Sequence, residues 1–468
     1  MDILWKLRGY IKMFSRQYLI AFVVLQVVAL FNLVPSWLIG RIVDSISDGE
    51  LTLSLLMLYV GGIAGSAFAM YGLRYVWQSK LYGAAIGITR VMRSELFHKF
   101  SRLSPSFYSR RSTGDLMAHA TNDLNAVEEA TGMGIMTLVD SLIAGFTVIF
   151  GMIFVVSGHL TAVALLPFPL LVYFTRRYGA RLHTAFGHAQ ASFSELSEET
   201  RETVAGIRAV RSHGIGQRQE QRFGETLDET LEANLKVAKV DSAFAPTIQL
   251  VYGLSFVISL GYGAWLIEQG SITVGLFTTF TLYLGQLLGP FLQFGWQFNV
   301  FQRGSKSWER LDSLLSEPED VTEGTITLSD DVRSSLDVNI HSFTHQGANR
   351  RTLEAIKFSV SEGGLVGITG PTGGGKSTLL QLLMRQFPLD GNSKMALDGN
   401  SIDDLTFDSL RSKVTWVPQK PFLFSGTIAE NIALAKPDAT DEEIKHVAKM
   451  AGIQAEIEAM ADGFDTEL

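Results

Sequence analysis

The run Gly370-Pro371-Thr372-Gly373-Gly374-Gly375-Lys376-Ser377-Thr378 is the segment of this sequence whose residue types and spacing most clearly do chemistry. It fits G-x-x-x-x-G-K-[ST], the spacing of a phosphate-binding loop. Glycines let successive backbone N–H groups turn inward around the β- and γ-phosphates, and the helix that follows presents its positive end to them. Lys376 adds a mobile positive charge, and the Ser377 hydroxyl is the expected ligand for Mg²⁺. A Gly-rich turn can match the bare pattern. Here, however, it is preceded by an apolar strand-type run, Leu365-Val366-Gly367-Ile368, and followed by the helical run Leu379–Met384. Strand, loop and helix in that order are the context the chemistry requires, so a nucleoside triphosphate with Mg²⁺ is the expected ligand.

The elements that position this loop differ sharply from what comes before it. The chain has 468 residues, of which 18% are charged, and a mean hydropathy of +0.19. Its last third reads as an ordinary soluble sequence, so the apolar excess lies in the first two thirds. Tyr18 to Gly40, Leu51 to Leu73, Ser141 to Thr175, Phe244 to Ile267 and Ser271 to Gln302 are long apolar runs. A helix needs about 20 such residues to cross a bilayer. The third run is long enough for two crossings that turn at Ser157-Gly158-His159, which gives six membrane helices with an interfacial helix ahead of them. Asp140 stands at the edge of that run, and carboxylates at such depth face a cavity or a partner by default.

The connections alternate between short loops and loops of about sixty residues. Basic residues mark the long ones, including Lys80, Arg90, Arg93, Lys99, Arg102, Arg176, Arg177, Arg181, Arg208 and Arg211, whereas the short loops carry Arg41 and little else. Lys and Arg stay on the cytoplasmic side, so both termini and both long loops are expected there. A net charge of −8 excludes a nucleic-acid partner, which needs clustered basic residues. The absence of Cys excludes disulfides and thiolate metal sites.

Beyond the loop, Val414-Thr415-Trp416-Val417-Pro418-Gln419 and Leu423-Phe424-Ser425-Gly426-Thr427-Ile428-Ala429-Glu430-Asn431-Ile432 resemble the Q-loop region of ABC exporters. Phe107-Tyr108, Ser112–Met117 and Thr121-Asn122-Asp123 are similar to the first intracellular loop of that family, and Ala205–Val210 to part of its second. The resemblance spans the whole chain and is nearest to bacterial multidrug-resistance-like half-transporters. It implies a multidomain fold: an all-α polytopic membrane domain over 1–315, a linker over 316–336, and the first part of an α/β P-loop nucleotide-binding domain over 337–468.

The same resemblance implies that Gly370, Pro371, Thr372, Gly373, Gly374, Gly375, Lys376, Ser377 and Thr378 hold ATP and Mg²⁺. Gln419 would sense the metal and the attacking water. Short coupling helices are implied near Ser112 to Leu116 and Gly206 to His213. A second half-transporter subunit, membrane lipid and a small amphipathic or drug-like export substrate are the implied partners, and the bacterial inner membrane is the implied location. The last apolar run, with Phe277, Phe280, Tyr283, Phe291, Phe294, Trp296 and Phe298, corresponds to the helix that lines the cavity in that family, while core packing and lipid contact explain most such aromatic residues, so no substrate identity follows. Where the family places an adenine-stacking tyrosine this chain has His345, whose ring offers less area and a pH-dependent charge. The final residues, Asp462 to Leu468, resemble the stretch just ahead of the family's signature loop. The expectation is therefore that these 468 residues alone bind nucleotide without hydrolysing it. A membrane protein that senses nucleotide without transporting anything is the alternative.

Overall fold

The computed structural model describes residues 2–329 and 335–468, apart from the side chains of Asp2 and of residues 291–298. It divides into two compact units, one formed by 1–101 with 113–317 and the other by 102–112 with 318–468.

The first unit is helical throughout. Two short helices, α1 (Asp2–Lys6) and α2 (Arg8–Met13), precede α3 (Ser15–Ser47) and α4 (Leu53–Arg102). With 50 residues, α4 is about 75 Å long, more than twice a bilayer core, so its charged second half must run on into water. A short helix, α5 (Pro105–Arg110), follows at the turn, and the chain returns through α6 (Thr113–Ala118), α7 (Leu124–Glu129) and α8 (Ile135–Gly151). Single π-turns at His119–Asp123, Ala130–Gly134 and Met152–Ser157 link or extend these helices. The turn expected at Ser157 is present: its backbone is extended (φ −163°, ψ 124°) and its hydroxyl accepts from the Leu160 N–H.

The return path is α9 (Gly158–Leu165), α10 (Phe168–Ala205), α11 (Ile207–Ser212), α12 (Gly216–Asp241), α13 (Phe244–Glu268), α14 (Val274–Gln286) and α15 (Leu288–Leu315). All six apolar segments read from the sequence are therefore helical. Among the described residues, four stretches are long and apolar enough to cross a membrane: Ser15–Ser47, Leu53–Arg102, Thr113–Leu165, which includes the turn at Ser157, and Gly216–Glu268. The other two crossings are broken, one between α9 and α10 at Pro167 and one between α14 and α15 at Leu287. Proline there removes a backbone donor from the helix ladder.

Packing explains where the chain spends its small residues. Gly40 of α3 and Gly275 of α14 touch backbone to backbone; a Cβ on either would collide with the other's carbonyl oxygen. The Asp44 carboxylate closes this seam by accepting from Gly275 N at 2.7 Å and from Thr273 Oγ1 at 2.9 Å, which caps α14. Phe280 and Tyr283 are fully buried in a cluster with Val148, Met152 and Leu160, and the Tyr283 hydroxyl donates to Leu33 O at 3.0 Å. These two aromatics of the last run thus pack the core, as the bulk of such residues were expected to. Phe291, Phe294, Trp296 and Phe298 lie outside the described residues. Asp140 is half-buried in α8.

Along the stretches that continue past the apolar runs, charge replaces apolar contact. Asp123, almost fully buried, accepts from His119 Nδ1 at 2.6 Å and from Arg310 Nε at 3.0 Å, and a second ion-paired contact joins it to Arg310 Nη2. Burial pushes the Asp123 carboxyl up, but hydrogen bonds from Arg310, His119 and Ser307 and the Arg310 charge outweigh it and hold the group at about 2. A carboxyl depressed on folding adds stability that is complete above its unfolded value and is lost as pH falls through its folded value. The tie should therefore hold at neutral pH and lose roughly 2 kcal/mol between about pH 4 and pH 2. Thermal melts of the detergent-solubilised protein across that range check this; an Asp123→Asn variant with the same acid limb as the wild type would refute it.

The second unit is built on a four-stranded antiparallel sheet in the order β2-β1-β3-β4, with β1 Leu336–Phe343, β2 Leu353–Val360, β3 Lys394–Leu397 and β4 Asn400–Ser401. Strand β1 alternates in the manner of a half-buried strand: Val338 and Ile340 point into the core, while Asp337, Asn339 and His341 face out. Opposite partners Ile340 and Ile356, and Val338 and Met395, fix the register. Helix α16 (Lys376–Leu383) packs Leu379 and Leu382 against this face. Then come α17 (Phe407–Lys413), α18 (Ile428–Ile432), α19 (Asp441–Met450) and α20 (Gln454–Glu458).

The strand expected at Leu365 to Ile368 does not form. Leu365 is 98% exposed, and no strand pairs with this segment among the described residues. An apolar run becomes a buried strand only with neighbours to satisfy its N–H and C=O groups, and these residues have none.

The chain entering this unit is stitched down along its length. Asp320 accepts from Ser104 Oγ and Ser106 Oγ, both at 2.8 Å, so the turn around α5 holds the start of the linker. Ile326 pairs with Leu405, and Gly324 lies so close to the backbone of Asp404 that a Cβ could not fit. Arg385, at the end of the segment that α16 begins, donates to Leu405 O at 2.6 Å and to Thr322 O.

Candidate nucleotide-binding site

The phosphate-binding loop lies against the start of β2 and ends in α16, although the strand expected immediately before it, at Leu365 to Ile368, does not form. Gly373 (φ +78°) and Gly375 (φ +86°) occupy left-handed backbone, and Gly375 is the N-cap of α16. Only glycine serves at the second position. A Cβ on Gly375 would lie 2.6 Å from Leu353 Cδ2 and 2.8 Å from Thr352 O, so the loop's curvature is set by contact with β2 as well as by dihedral preference. The Gly374 N–H donates to Pro371 O at 3.0 Å, which closes the turn.

Lys376 folds back across the loop and donates from Nζ to Gly370 O at 2.8 Å and Pro371 O at 2.9 Å. The one flexible cation of the motif is thereby held over the loop it serves. Pro371, Thr372, Gly373, Gly374 and Ser377 are exposed, while Thr378 is buried beneath them. Left-handed glycines, an ammonium group and an exposed Ser377 hydroxyl in the first turn of a helix form a donor set that fits a nucleotide phosphate with its Mg²⁺.

His345 meets this loop from below. Its Nε2 shares a hydrogen bond of 3.1 Å with Thr378 Oγ1. Its ring stands edge-on to Phe343 and to Phe387, with centroids 5.0 Å away in both cases. The imidazole is thus fixed in a pocket of two aromatic rings and tied to the motif, which loop spacing alone did not reveal.

Gln419 is placed differently. It lies in an exposed bend, and among the described residues no hydrogen bond or ion pair ties it to the loop. The segment after it is well ordered by local chemistry. Asn431 accepts from Phe424 N at 2.8 Å and donates to Phe424 O at 2.9 Å, pinning the bend as a staple. Thr427 and Glu430 form a reciprocal capping box on α18, and Ile428 N donates to Thr466 O at 3.0 Å. The capping box was readable as T-x-x-E, whereas the staple, seven residues apart, was not. The short helices α6 and α11 fall where coupling helices were expected.

Comparison with known proteins agrees with these two units. The family model described as "ABC transporter transmembrane region" matches residues 18–291, and that described as "ABC transporter" matches 353–465. The chain is 38% identical over 463 residues to the multidrug resistance-like ATP-binding protein MdlA of Escherichia coli, covering 99% of this chain and 78% of that protein. It is 35% identical over 467 residues to the probable multidrug resistance ABC transporter ATP-binding/permease protein YheI of Bacillus subtilis, covering 99% and 79%. MdlA of Buchnera aphidicola subsp. Schizaphis graminum is 34% identical over 453 residues, covering 97% and 78%. Helical membrane domain and phosphate-binding loop on one chain, matched end to end by these relatives, make this protein a member of the ABC transporter family, of the multidrug-resistance-like half-transporter type in which membrane and ATP-binding domains are fused.

Proposed function

We propose that this chain is one subunit of a dimeric exporter that moves small amphipathic molecules out across the bacterial inner membrane at the expense of ATP. The observation that carries this reading is the fusion itself: a loop fitted for nucleotide phosphate on the same chain as helices long and apolar enough to span a bilayer. Residues 1–315 form the translocating domain, 316–336 the linker and 337–468 the ATP-binding part. The names of the relatives support a drug-like substrate class.

In this reading the backbone of 370–375 would receive the phosphates, Lys376 would move its ammonium from the Gly370 and Pro371 carbonyls to phosphate oxygen, and Ser377 would hold Mg²⁺. Bound Mg²⁺ neutralises phosphate charge. Gln419 reaches the site only when the exposed bend that carries it closes, so it acts as a sensor of the loaded state. His345, fixed by Thr378 and two aromatic edges, offers one face of its ring to the adenine. Closure of two loaded subunits then moves the long helices as rigid bodies. The distribution of Lys and Arg supports cytoplasmic termini.

Inside-out membrane vesicles from cells expressing the gene at full length together with its partner subunit provide the test. They should take up a lipophilic cationic dye when given MgATP and not when given MgADP. Vesicles that retain labelled ATP on this protein yet show the same dye uptake with either nucleotide would refute the transport reading.

A further inference from the structure

An open, apolar groove of about 680 Å³ lies where α2, the start of α3, α4 and α8 come together. Its floor is made by Leu25, Leu81, Met136 and Val139, and no acidic side chain lines it. Four lining residues carry polar groups, Ser15, Arg16, Tyr18 and Trp77; the Tyr18 hydroxyl is engaged with Thr131 O. Arg16 stands at one edge, exposed, and among the described residues it meets no carboxylate. Trp77 forms part of the wall at 4% exposure, and its indole N–H finds no acceptor.

Both features sit at the same level of the molecule. Arg16 immediately precedes the apolar run that starts at Tyr18, and Trp77 follows the run that ends at Leu73. That is the boundary between hydrocarbon and headgroup, the depth that Trp and Arg side chains favour. Helix α3 begins there on Phe14 without a side-chain cap, so its positive end adds to the Arg16 charge. Lys12, one turn earlier, is exposed as well. Glu95 accepts from the Tyr10 hydroxyl, and Asp140, next to Val139 on α8, does not line the groove.

We infer that this groove is a binding site for an anionic phospholipid, with an acyl chain on the apolar floor, the phosphate beside Arg16 and, once the Trp77 ring shifts to open its enclosed nitrogen, an acceptor oxygen on the indole N–H. A buried donor without a partner is unfavourable, and a lipid ester or phosphate oxygen relieves it. Water is a poor substitute in a groove with so little polar surface. A zwitterionic lipid would carry its own ammonium group against Arg16 and gain less. The inference stands apart from the transport reading, since it needs only that the protein resides in a membrane.

The test is lipid binding to the purified, detergent-solubilised protein, followed by native mass spectrometry and by thermal shift. Phosphatidylglycerol, phosphatidylcholine and inorganic phosphate are the probes. One phosphatidylglycerol should bind about tenfold more tightly than phosphatidylcholine, and phosphate alone should not stabilise the protein. Arg16→Gln should erase the preference between the two lipids. Trp77→Phe, which keeps the ring and deletes the donor, should weaken phosphatidylglycerol about tenfold and leave the lipid-free melting temperature unchanged or higher. Equal binding of the two lipids, stabilisation by phosphate alone, or wild-type lipid affinity in both variants would overturn the assignment.

Discussion

Replacing Lys376 with alanine should lower the retention of labelled MgATP by about 100-fold while leaving the melting of the protein nearly unchanged. The two halves of this expectation have different causes. An ammonium group that leaves Gly370 O and Pro371 O for phosphate oxygen gains charge-assisted hydrogen bonds, worth roughly 3 kcal/mol together, and that is a hundredfold in affinity. In the free protein the same ammonium bonds only to carbonyls on an exposed loop, which water can satisfy in its absence. Loop curvature is secured independently by Gly375 against β2 and by the closed turn at Gly374. Equilibrium dialysis with labelled ATP and a parallel thermal melt separate the two effects. Retention within threefold of the wild type would sink the assignment of this loop as the nucleotide site.

Arg385→Leu should cost the second unit about 2 kcal/mol of stability, with little direct effect on nucleotide contacts. Arg385 is 5% exposed and reaches two backbone carbonyls that have a long chain between them, Leu405 O and Thr322 O. Its guanidinium lies 4.8 Å from the centre of the Phe407 ring, a ring it shares with Arg411 at the same distance. Burial pulls its pKa down from the ordinary arginine value, and Asp403 at 3.8 Å acts in the opposite direction. Leucine fills much of the space and supplies none of the donors, so Leu405 O keeps only its bond from Gly324 N and Thr322 O is left to water, at about 1–3 kcal/mol for the pair. Besides a lower melting temperature, the linker near Thr322 should become sensitive to protease. An unchanged melt together with unchanged cleavage would show that the clamp does not hold the linker.

What could be read from the sequence was whatever local spacing specifies. The loop at 370–378 needs only its own glycines, its lysine and the helix it starts, so its chemistry was visible at once. The membrane helices were visible because lipid leaves the backbone no alternative, and the turn at Ser157 announced itself through Ser-Gly within an apolar run. Contacts between distant residues were invisible. Ser104 and Asp320 are 216 positions apart, and Arg385 and Thr322 are 63 apart. No periodicity encodes such pairs. Arg385 reads as a surface residue at the end of a helix, yet it is a buried anchor.

His345 shows the same limit. Its departure from the aromatic pattern was legible, but its bond to Thr378, 33 residues on, was not. Leu365–Ile368 failed in the opposite direction. Its apolar composition suits a buried strand, but composition cannot supply the neighbouring strands that would make it one. Which aromatics of the last run pack the core, as Phe280 and Tyr283 do, was not legible for a related reason, since an aromatic stripe looks alike whether it faces a cavity or a core.

The contact between Gly40 and Gly275 limits how α3 and α14 can move. Ordinary helix pairs slide by letting side chains change rotamer, a soft adjustment spread over many small steps. Here main chain rests on main chain, and nothing between the two helices can be compressed. Asp44 adds a pin at the adjoining end. Such a joint behaves as a hasp: the two helices travel locked together, or they part in a single event that releases the pin and the glycine contact at once.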